Sequence, residues 1–170
     1  MEARSNDAPS VDRRGDLPPE LARELAELAA HYPQRRAALI PALHRCQEEL
    51  GGWLSPETLE ACARFFALEP VDVFGVASFY PMFHLAPRGA HLVAVCHNIS
   101  CQLRGAEEIL AEVCRITRCE PGGTSEDGRF SVVGVECQGA CTAAPMLSLD
   151  GVFHENLTAQ DVLRILGGRS

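Results

Sequence analysis

The sequence lacks any long apolar segment and any excess of basic residues. No window approaches the ~18 consecutive apolar residues that a helix needs to cross a bilayer, so direct membrane insertion is not expected. The 170 residues include 23 Asp and Glu against 15 Lys and Arg, which gives a formal net charge of −8. Because such a surface repels phosphate backbones, nucleic acid is not an expected partner. The same negative charge argues against a basic membrane-binding face on this chain.

The first residues, "MEARSNDAPSVDRRGDLPPE", lack the apolar run of a secretory signal, and they do not resemble a transit peptide. We therefore expect a disordered, solvated tail over residues 1–17 and a cytoplasmic protein. Thiols stay reduced in the cytoplasm, so the eight cysteines are not expected to form structural disulfides. Clustered cysteines in such a protein more often hold a metal ion or an iron–sulfur cluster.

The first half of the chain has the apolar periodicity of amphipathic helices. It recurs in three segments, "PPELARELAELAAHY", "QRRAALIPALHRCQEEL" and "SPETLEACARFFAL". Pro41 is expected to kink the second helix or to shift its start. Ser55 and Pro56 are a typical N-cap and first helical residue for the third. With one more short helix near residues 70–77, the pattern predicts a helical region over residues 18–88.

From residue 90 the pattern changes to strands and helices in alternation. The predicted strands are "AHLVAV", "RFSVVGVE" and a hairpin of "MLSLD" and "VFHE" around Asp150 and Gly151. The predicted helices are "AEEILAEVCRIT" and "TAQDVLRIL", the second with Thr158 and Asp161 spaced as a capping box. A strand, a crossover helix and a second strand predict a small sheet with helices packed on it. The chain is therefore of the α/β class, with an N-terminal helical region followed by a sheet domain over residues 89–170.

Four of the eight cysteines are expected to be packing residues. Cys46, Cys62 and Cys114 lie on the apolar faces of predicted helices, and Cys119 lies at the end of its helix. Cysteine in such positions behaves as a small hydrophobic residue. We therefore expect these four thiols to be buried or half-buried in the cores.

The other four cysteines begin where predicted strands end. Cys96 and Cys101 bound the loop "CHNISC", and Cys137 and Cys141 bound the loop "CQGAC". The carboxyl ends of strands in an open α/β sheet are where ligands usually bind. If the two loops meet at one edge of the sheet, they form a site of four thiolates.

The spacing of these four cysteines favours an iron–sulfur cluster over zinc without excluding zinc. Structural zinc most often uses a tight two-residue knuckle, which neither loop contains. A 2Fe–2S cluster takes four cysteines, and the wider loops suit it. A zinc-stabilised adaptor and a dithiol oxidoreductase stay open as alternatives, the latter weakened by the absence of a C-x-x-C motif. A Rieske centre needs two histidine ligands, and His97 has no counterpart in the second loop, so we expect His97 to face solvent.

Longer motifs carry a resemblance to a known family. From about residue 34 to the C-terminus, and above all in "SFYPMFHLAPRGAHLVAVCHNISCQLRGAEEIL" and "VGVECQGACTAAPMLSLDG", the sequence resembles the thioredoxin-like 2Fe–2S subunits of NADH:quinone oxidoreductase, respiratory complex I. Similar small subunits occur in NAD-dependent formate dehydrogenases and NAD(P)-linked hydrogenases. The resemblance therefore leaves the parent complex open among these three.

The resemblance implies a thioredoxin-like fold for the sheet domain and one 2Fe–2S cluster. Cys96 and Cys101 would bind one iron, and Cys137 and Cys141 the other. The helical region would pack on a partner subunit that binds FMN and NADH, and the flavin of that partner would exchange single electrons with the cluster. The chain has no glycine-rich nucleotide motif, so no catalytic activity is expected of it alone. With the further subunits, it would lie peripherally at the inner face of the membrane.

Three other features bear on the fold and on the partners. Pro145 occupies the position where thioredoxin-like folds often carry a cis proline. The aromatic segment "SFYPMF" and Trp53 have two interpretations, as packing between the helical region and the sheet domain or as a contact face for the flavin subunit. His84, Arg88 and Arg104 are expected to be ordinary loop residues, although they could shield the cluster.

Overall fold

The structure, a computed structural model, describes residue 11 and residues 15–168. Most of the tail predicted over residues 1–17 lies outside these residues, and Leu17 at its end is buried in the helical core. The chain divides into two compact units, Met1–Pro87 and Arg88–Ser170. Within the described part of the chain, no helix has the length and apolar character to span a membrane.

The described residues of the first unit form four α-helices and one 3₁₀ turn. The helices are α1 (Pro19–Ala30), α2 (Leu39–Glu49), α3 (Pro56–Phe66) and α4 (Pro70–Phe79), and the 3₁₀ turn is Arg35–Ala38. Pro41 lies in the first turn of α2, where backbone N–H groups have no intrahelical partner, so the proline shifts the helix start without breaking it. The predicted cap of α3 is confirmed, since the Ser55 hydroxyl accepts a hydrogen bond from the Thr58 N–H at 3.1 Å.

The core of this unit comes from the apolar faces that the periodicity predicts. Its fully buried side chains include Leu25, Leu43, Leu54, Cys46, Cys62 and Val73. Close packing of such faces, more than helix propensity, stabilises short helices of this length. The packing roles predicted for Cys46 and Cys62 are therefore confirmed.

Helix α4 differs from the other three helices because it is apolar on both sides. Val73 and Ala77 face the core and are buried, whereas Val71, Phe74 and Phe79 are 73%, 53% and 77% exposed. The segment "SFYPMF" continues this division, since Phe83 is buried in the helical core, while Met82 is exposed. A helix that is apolar all round normally has a partner on each side.

The second unit is built on a four-stranded mixed sheet. Its strands are β1 (His91–Cys96), β2 (Phe130–Val135), β3 (Leu147–Leu149) and β4 (Val152–His154), in the order β2-β1-β3-β4. Strand β1 pairs with β2 in parallel and with β3 in antiparallel, and β3 and β4 form a hairpin. The predicted turn at Asp150 and Gly151 is confirmed, with φ values of 52° and 82°. Two successive positive φ values give the twist that a two-residue hairpin needs.

Through residue 168, three α-helices accompany the sheet. They are α5 (Ile99–Gln102), α6 (Ala106–Thr117) and α7 (Ala159–Gly167). Helices α6 and α7 pack together, and Val113, Val162 and Leu166 are buried in one apolar cluster that also contains side chains of β1 and β2. The capping box of α7 is confirmed, because the Thr158 hydroxyl accepts from the Asp161 N–H while the Asp161 carboxylate accepts from the Thr158 N–H. Helix α5 was not predicted, because four residues of mixed polarity carry no measurable periodicity.

Candidate functional site

The sheet brings the two cysteine loops to one edge. Strands β1 and β2 are parallel and in register, so that Cys96, the last residue of β1, pairs with Val135, the last residue of β2. Cys137 follows two residues beyond that pair. Because parallel strands end at the same edge, the loops after them begin side by side.

The first loop buries its two cysteines. Asn98 starts α5, and its side-chain oxygen accepts a hydrogen bond from the Ile99 N–H at 2.9 Å. This short helix places Cys101 in a small buried cluster that also contains Cys96, Ala106 and Met146. Burial raises the pKa of the Cys101 thiol, and its hydrogen bond with Cys96 acts in the same direction. The two thiols of the first loop are therefore adjacent and shielded from water.

The second loop exposes its two cysteines. The sulfur atoms of Cys137 and Cys141 lie 3.9 Å apart, and both residues are exposed. The Gly139 N–H donates a hydrogen bond to Cys137 Sγ at 3.3 Å, from a backbone with φ of +80° that favours glycine. The hydrogen bond with Cys137 raises the pKa of the Cys141 thiol, whereas the Ser100 hydroxyl lowers it by a smaller amount.

Several interactions connect the two loops. The Cys96 thiol donates to the Glu136 carbonyl at 3.8 Å, and the Arg104 guanidinium donates to the Ala144 carbonyl at 3.4 Å. Ser100 of the first loop reaches Cys141 of the second, and the charge of a Cys96 thiolate further raises the pKa of Cys141. Arg104, expected to be an ordinary loop residue, therefore joins the loops that carry the four thiols.

Gln138 connects the second loop to strand β1, a contact that the sequence pattern did not reveal. Its side-chain amide donates to the Ala94 carbonyl of β1 at 3.5 Å, next to Cys137. The amide oxygen is buried and has no hydrogen-bond partner among the described residues. The only signal in the sequence was the position of Gln138 between a cysteine and a glycine, which does not specify the direction of its side chain.

The remaining site predictions can be compared with the structure directly. Cys119 is buried and Cys114 is half-buried, as expected for packing residues. His97 is exposed, with its ring 3.9 Å from the Glu136 carboxylate, which confirms a solvent-facing residue. The Ala144–Pro145 peptide bond is cis, at the position expected for a cis proline.

The donor set fits a two-iron cluster. Among the described residues, no group of three or more His, Cys, Asp and Glu side chains is placed to hold a metal ion. The thiols are arranged instead as two adjacent pairs, one buried and one exposed. A 2Fe–2S cluster takes four cysteines, two on each of its irons, so paired thiols from two loops are a suitable set of ligands.

The comparisons with known proteins agree with this chemistry. Residues 25–169 match the family described as thioredoxin-like [2Fe-2S] ferredoxin, in agreement with the thioredoxin-like fold expected of the second unit. The chain is 40% identical over 147 residues to NADH-quinone oxidoreductase subunit 2 of Thermus thermophilus, covering 85% of this chain and 81% of the relative. It is 39% identical over 136 residues to another NADH-quinone oxidoreductase subunit, from Rhizobium meliloti, covering 80% of each chain.

A solved structure is similar in fold. The NAD+-reducing [NiFe]-hydrogenase in its H2-reduced state superposes with a TM-score of 0.68 at 22% sequence identity. The match covers 76% of this chain but only 21% of the hydrogenase chain, so this chain spans about a fifth of that protein's length. At this level of identity the likeness concerns the fold alone.

Proposed function

This chain belongs to the thioredoxin-like [2Fe-2S] ferredoxin family, and from that premise we propose that it is the electron-transfer subunit of an NADH:quinone oxidoreductase. The observation that carries the proposal is the meeting of two dithiol loops at one edge of the sheet. The subunits of NADH-quinone oxidoreductase named above, 39–40% identical to this chain, support the choice of parent complex. The equivalent small subunits of formate dehydrogenases and hydrogenases are the alternative.

We assign Cys96 and Cys101 to one iron and Cys137 and Cys141 to the other. When bound, the 2Fe–2S cluster supplies transfer of a single electron. The surrounding chain governs how readily that electron is accepted, because four thiolates leave the site with negative charge. The Gly139 N–H, donating to Cys137 Sγ, reduces the electron density on that sulfur.

The two cysteine pairs differ in solvent exposure, so the proposed site has one buried side and one open side. Cys96 and Cys101 are buried and exclude water from one side of the site. Cys137 and Cys141 are exposed and leave the other side open to a partner. The loop "CQGAC" is therefore the side on which an electron would enter or leave.

The proposed partner is the subunit that binds FMN and NADH. This chain has no glycine-rich nucleotide motif in its sequence, so hydride chemistry is assigned to that partner. The exposed apolar face of α4, formed by Val71, Phe74 and Phe79, suits a stable protein contact of this kind. A peripheral location on the cytoplasmic side of the membrane fits eight free cysteines, because thiols persist in a reducing compartment.

The decisive experiment is anaerobic purification of the full chain, followed by iron and sulfide analysis. About two irons and two acid-labile sulfides per chain are expected, with broad visible absorbance that bleaches on reduction. In the assembled complex with the flavin subunit, NADH should reduce the same chromophore. Cys96→Ser should lose most of the iron, and Cys114→Ser, outside the site, should keep it.

Two outcomes would overturn the proposal. A colourless protein that contains zinc would support the zinc-stabilised adaptor. A colourless, metal-free protein that exchanges thiols with disulfide substrates would support a dithiol oxidoreductase.

A further inference from the structure

The helical unit contains a second pair of adjacent thiols, which the proposed electron transfer does not use. Cys46 of α2 and Cys62 of α3 place their sulfur atoms 3.4 Å apart. Both side chains have no solvent exposure, and their neighbours are apolar core residues. The two residues are 16 positions apart in the sequence, so a bond between them would join two separate helices.

In the reduced protein the Cys46 thiol is held in its uncharged form. The hydrogen bond with Cys62 raises the pKa of Cys46 far above the usual range of a thiol, and burial raises it further. The adjacent Arg45 does not offset these effects, because its guanidinium forms ion pairs with Glu24, Glu48 and Glu49. Uncharged thiols react slowly, since the thiolate is the nucleophile.

We propose that Cys46 and Cys62 are a site of reversible oxidation, at which a small uncharged peroxide converts the two thiols into a disulfide. In the first step a local opening admits water and hydrogen peroxide, one thiol loses its proton, and the resulting thiolate attacks an oxygen of the peroxide. The O–O bond breaks, and the leaving hydroxide takes up the proton, so that a sulfenic acid and one water form. In the second step the other sulfur attacks the sulfenic sulfur, the S–S bond forms, and a second water leaves. Two thiols are oxidised and one peroxide is reduced to two waters.

The burial of the pair determines which oxidant can react. A site without solvent exposure excludes large or charged oxidants such as glutathione disulfide, whereas hydrogen peroxide needs only a small local opening. Once one sulfenic acid forms, the second sulfur is already adjacent, so disulfide formation outcompetes further oxidation to sulfinic acid. To form the disulfide, the sulfur atoms need to approach from 3.4 Å to about 2.05 Å.

A disulfide here would stabilise the helical unit. Crosslinking residues that are 16 positions apart restricts the unfolded chain, and it would hold α2 against α3. We therefore expect the oxidised protein to unfold at a higher temperature than the reduced protein, by several degrees.

The test uses the full chain and one tryptic peptide. Arg45 and Arg64 bound a segment without internal Lys or Arg, so trypsin releases residues 46–64 with Cys46 and Cys62 as its only cysteines. After hydrogen peroxide treatment, denaturation and alkylation, this peptide should be lighter by two hydrogen atoms and carry no alkyl group. Treatment with dithiothreitol under denaturing conditions should restore two alkylation sites. Glutathione disulfide in place of peroxide should leave the peptide reduced.

The other cysteines provide controls in the same digest. Cys114 and Cys119 fall in separate tryptic peptides, and the four cysteines assigned to the cluster fall in two others. Oxidation of the cluster cysteines is therefore measured separately from oxidation of Cys46 and Cys62. In Cys46→Ala, the remaining Cys62 should progress to sulfinic acid, since its resolving thiol is missing. The proposal is wrong if the wild-type peptide stays fully alkylatable after the half-buried Cys114 has been oxidised, or if it accumulates sulfinic acid in place of the disulfide.

Discussion

Two pairs of cysteines in this chain have similar sulfur separations and very different surroundings. Cys46 and Cys62 lie 3.4 Å apart between two helices, without solvent exposure. Cys137 and Cys141 lie 3.9 Å apart within one exposed loop, where a backbone N–H donates to a sulfur. The comparison teaches that the distance between thiols does not identify ligands. The assignment proposed for Cys137 and Cys141 rests instead on a second adjacent pair, Cys96 and Cys101, at the same edge of the sheet.

The largest expected effect comes from removing a buried thiol of the cluster site. In Cys101→Ser, a hydroxyl replaces a soft sulfur ligand in a buried position. We expect iron and acid-labile sulfide to fall by roughly tenfold or more, since even changes to groups around a metal site cost 10–100-fold in affinity. Iron analysis and visible absorbance of the anaerobically purified chain measure this.

The matched control is Cys114→Ser, the same substitution at a half-buried cysteine outside the site. It should retain the iron content of the wild type. Equal iron in Cys101→Ser and the wild type would remove Cys101 from the ligands.

A smaller effect is expected at the exposed pair. In Cys137→Ser the loop is open to solvent, and the serine oxygen can bind iron without creating a buried polar group. We expect a substantial part of the cluster to remain, with an altered visible spectrum and a lower reduction potential, because a harder ligand favours the oxidised state. Absorption and electron paramagnetic resonance spectra of the reduced protein measure both. If Cys137→Ser loses as much of the cluster as Cys101→Ser, solvent exposure does not determine how strongly a serine substitution affects cluster binding.

Sequence patterns predicted the parts of the fold that depend on local chemistry. Helix α3 follows from a serine cap, a proline and an apolar stripe, and the β3–β4 hairpin follows from Asp150 and Gly151. The two cysteine loops were identified because each begins at the end of an apolar strand, a signal that needs no knowledge of the partner strand.

Features that depend on tertiary packing were not predictable in the same way. The burial of Cys101 and the exposure of Cys141 follow from how α5 packs beside the second loop, and α5 itself is too short to give a periodic signal. The Arg104 side chain connects the two loops through the Ala144 carbonyl, and the Gln138 side chain connects the second loop to strand β1 through the Ala94 carbonyl. The sequence does not distinguish a polar side chain that makes such a contact from one that points into solvent.

The helical pair should affect stability and leave the cluster unchanged. In Cys62→Ala a fully buried sulfur is removed from the core, and the vacated space costs about 1–2 kcal/mol in the free energy of unfolding. Urea denaturation followed by circular dichroism measures this cost. Iron content should stay at the wild-type value, and a decrease would mean that the two regions are not independent.

The smallest expected effect is at Gly139, where the backbone has φ of +80°. Apart from its two chain neighbours, none of the described residues places a heavy atom within 4 Å of an added Cβ. Gly139→Ala therefore meets no steric clash, and only the left-handed backbone costs free energy, about 1 kcal/mol. If the loop keeps its conformation, the N–H of residue 139 still donates to Cys137 Sγ, and the cluster spectrum stays unchanged while the unfolding temperature falls slightly. A changed spectrum with unchanged stability would mean that the loop relaxes, moving this N–H away from the sulfur. In that case the hydrogen bond from residue 139 to Cys137 Sγ depends on glycine at this position. The pair Cys46 and Cys62, which is buried between two helices, depends on no glycine of this kind.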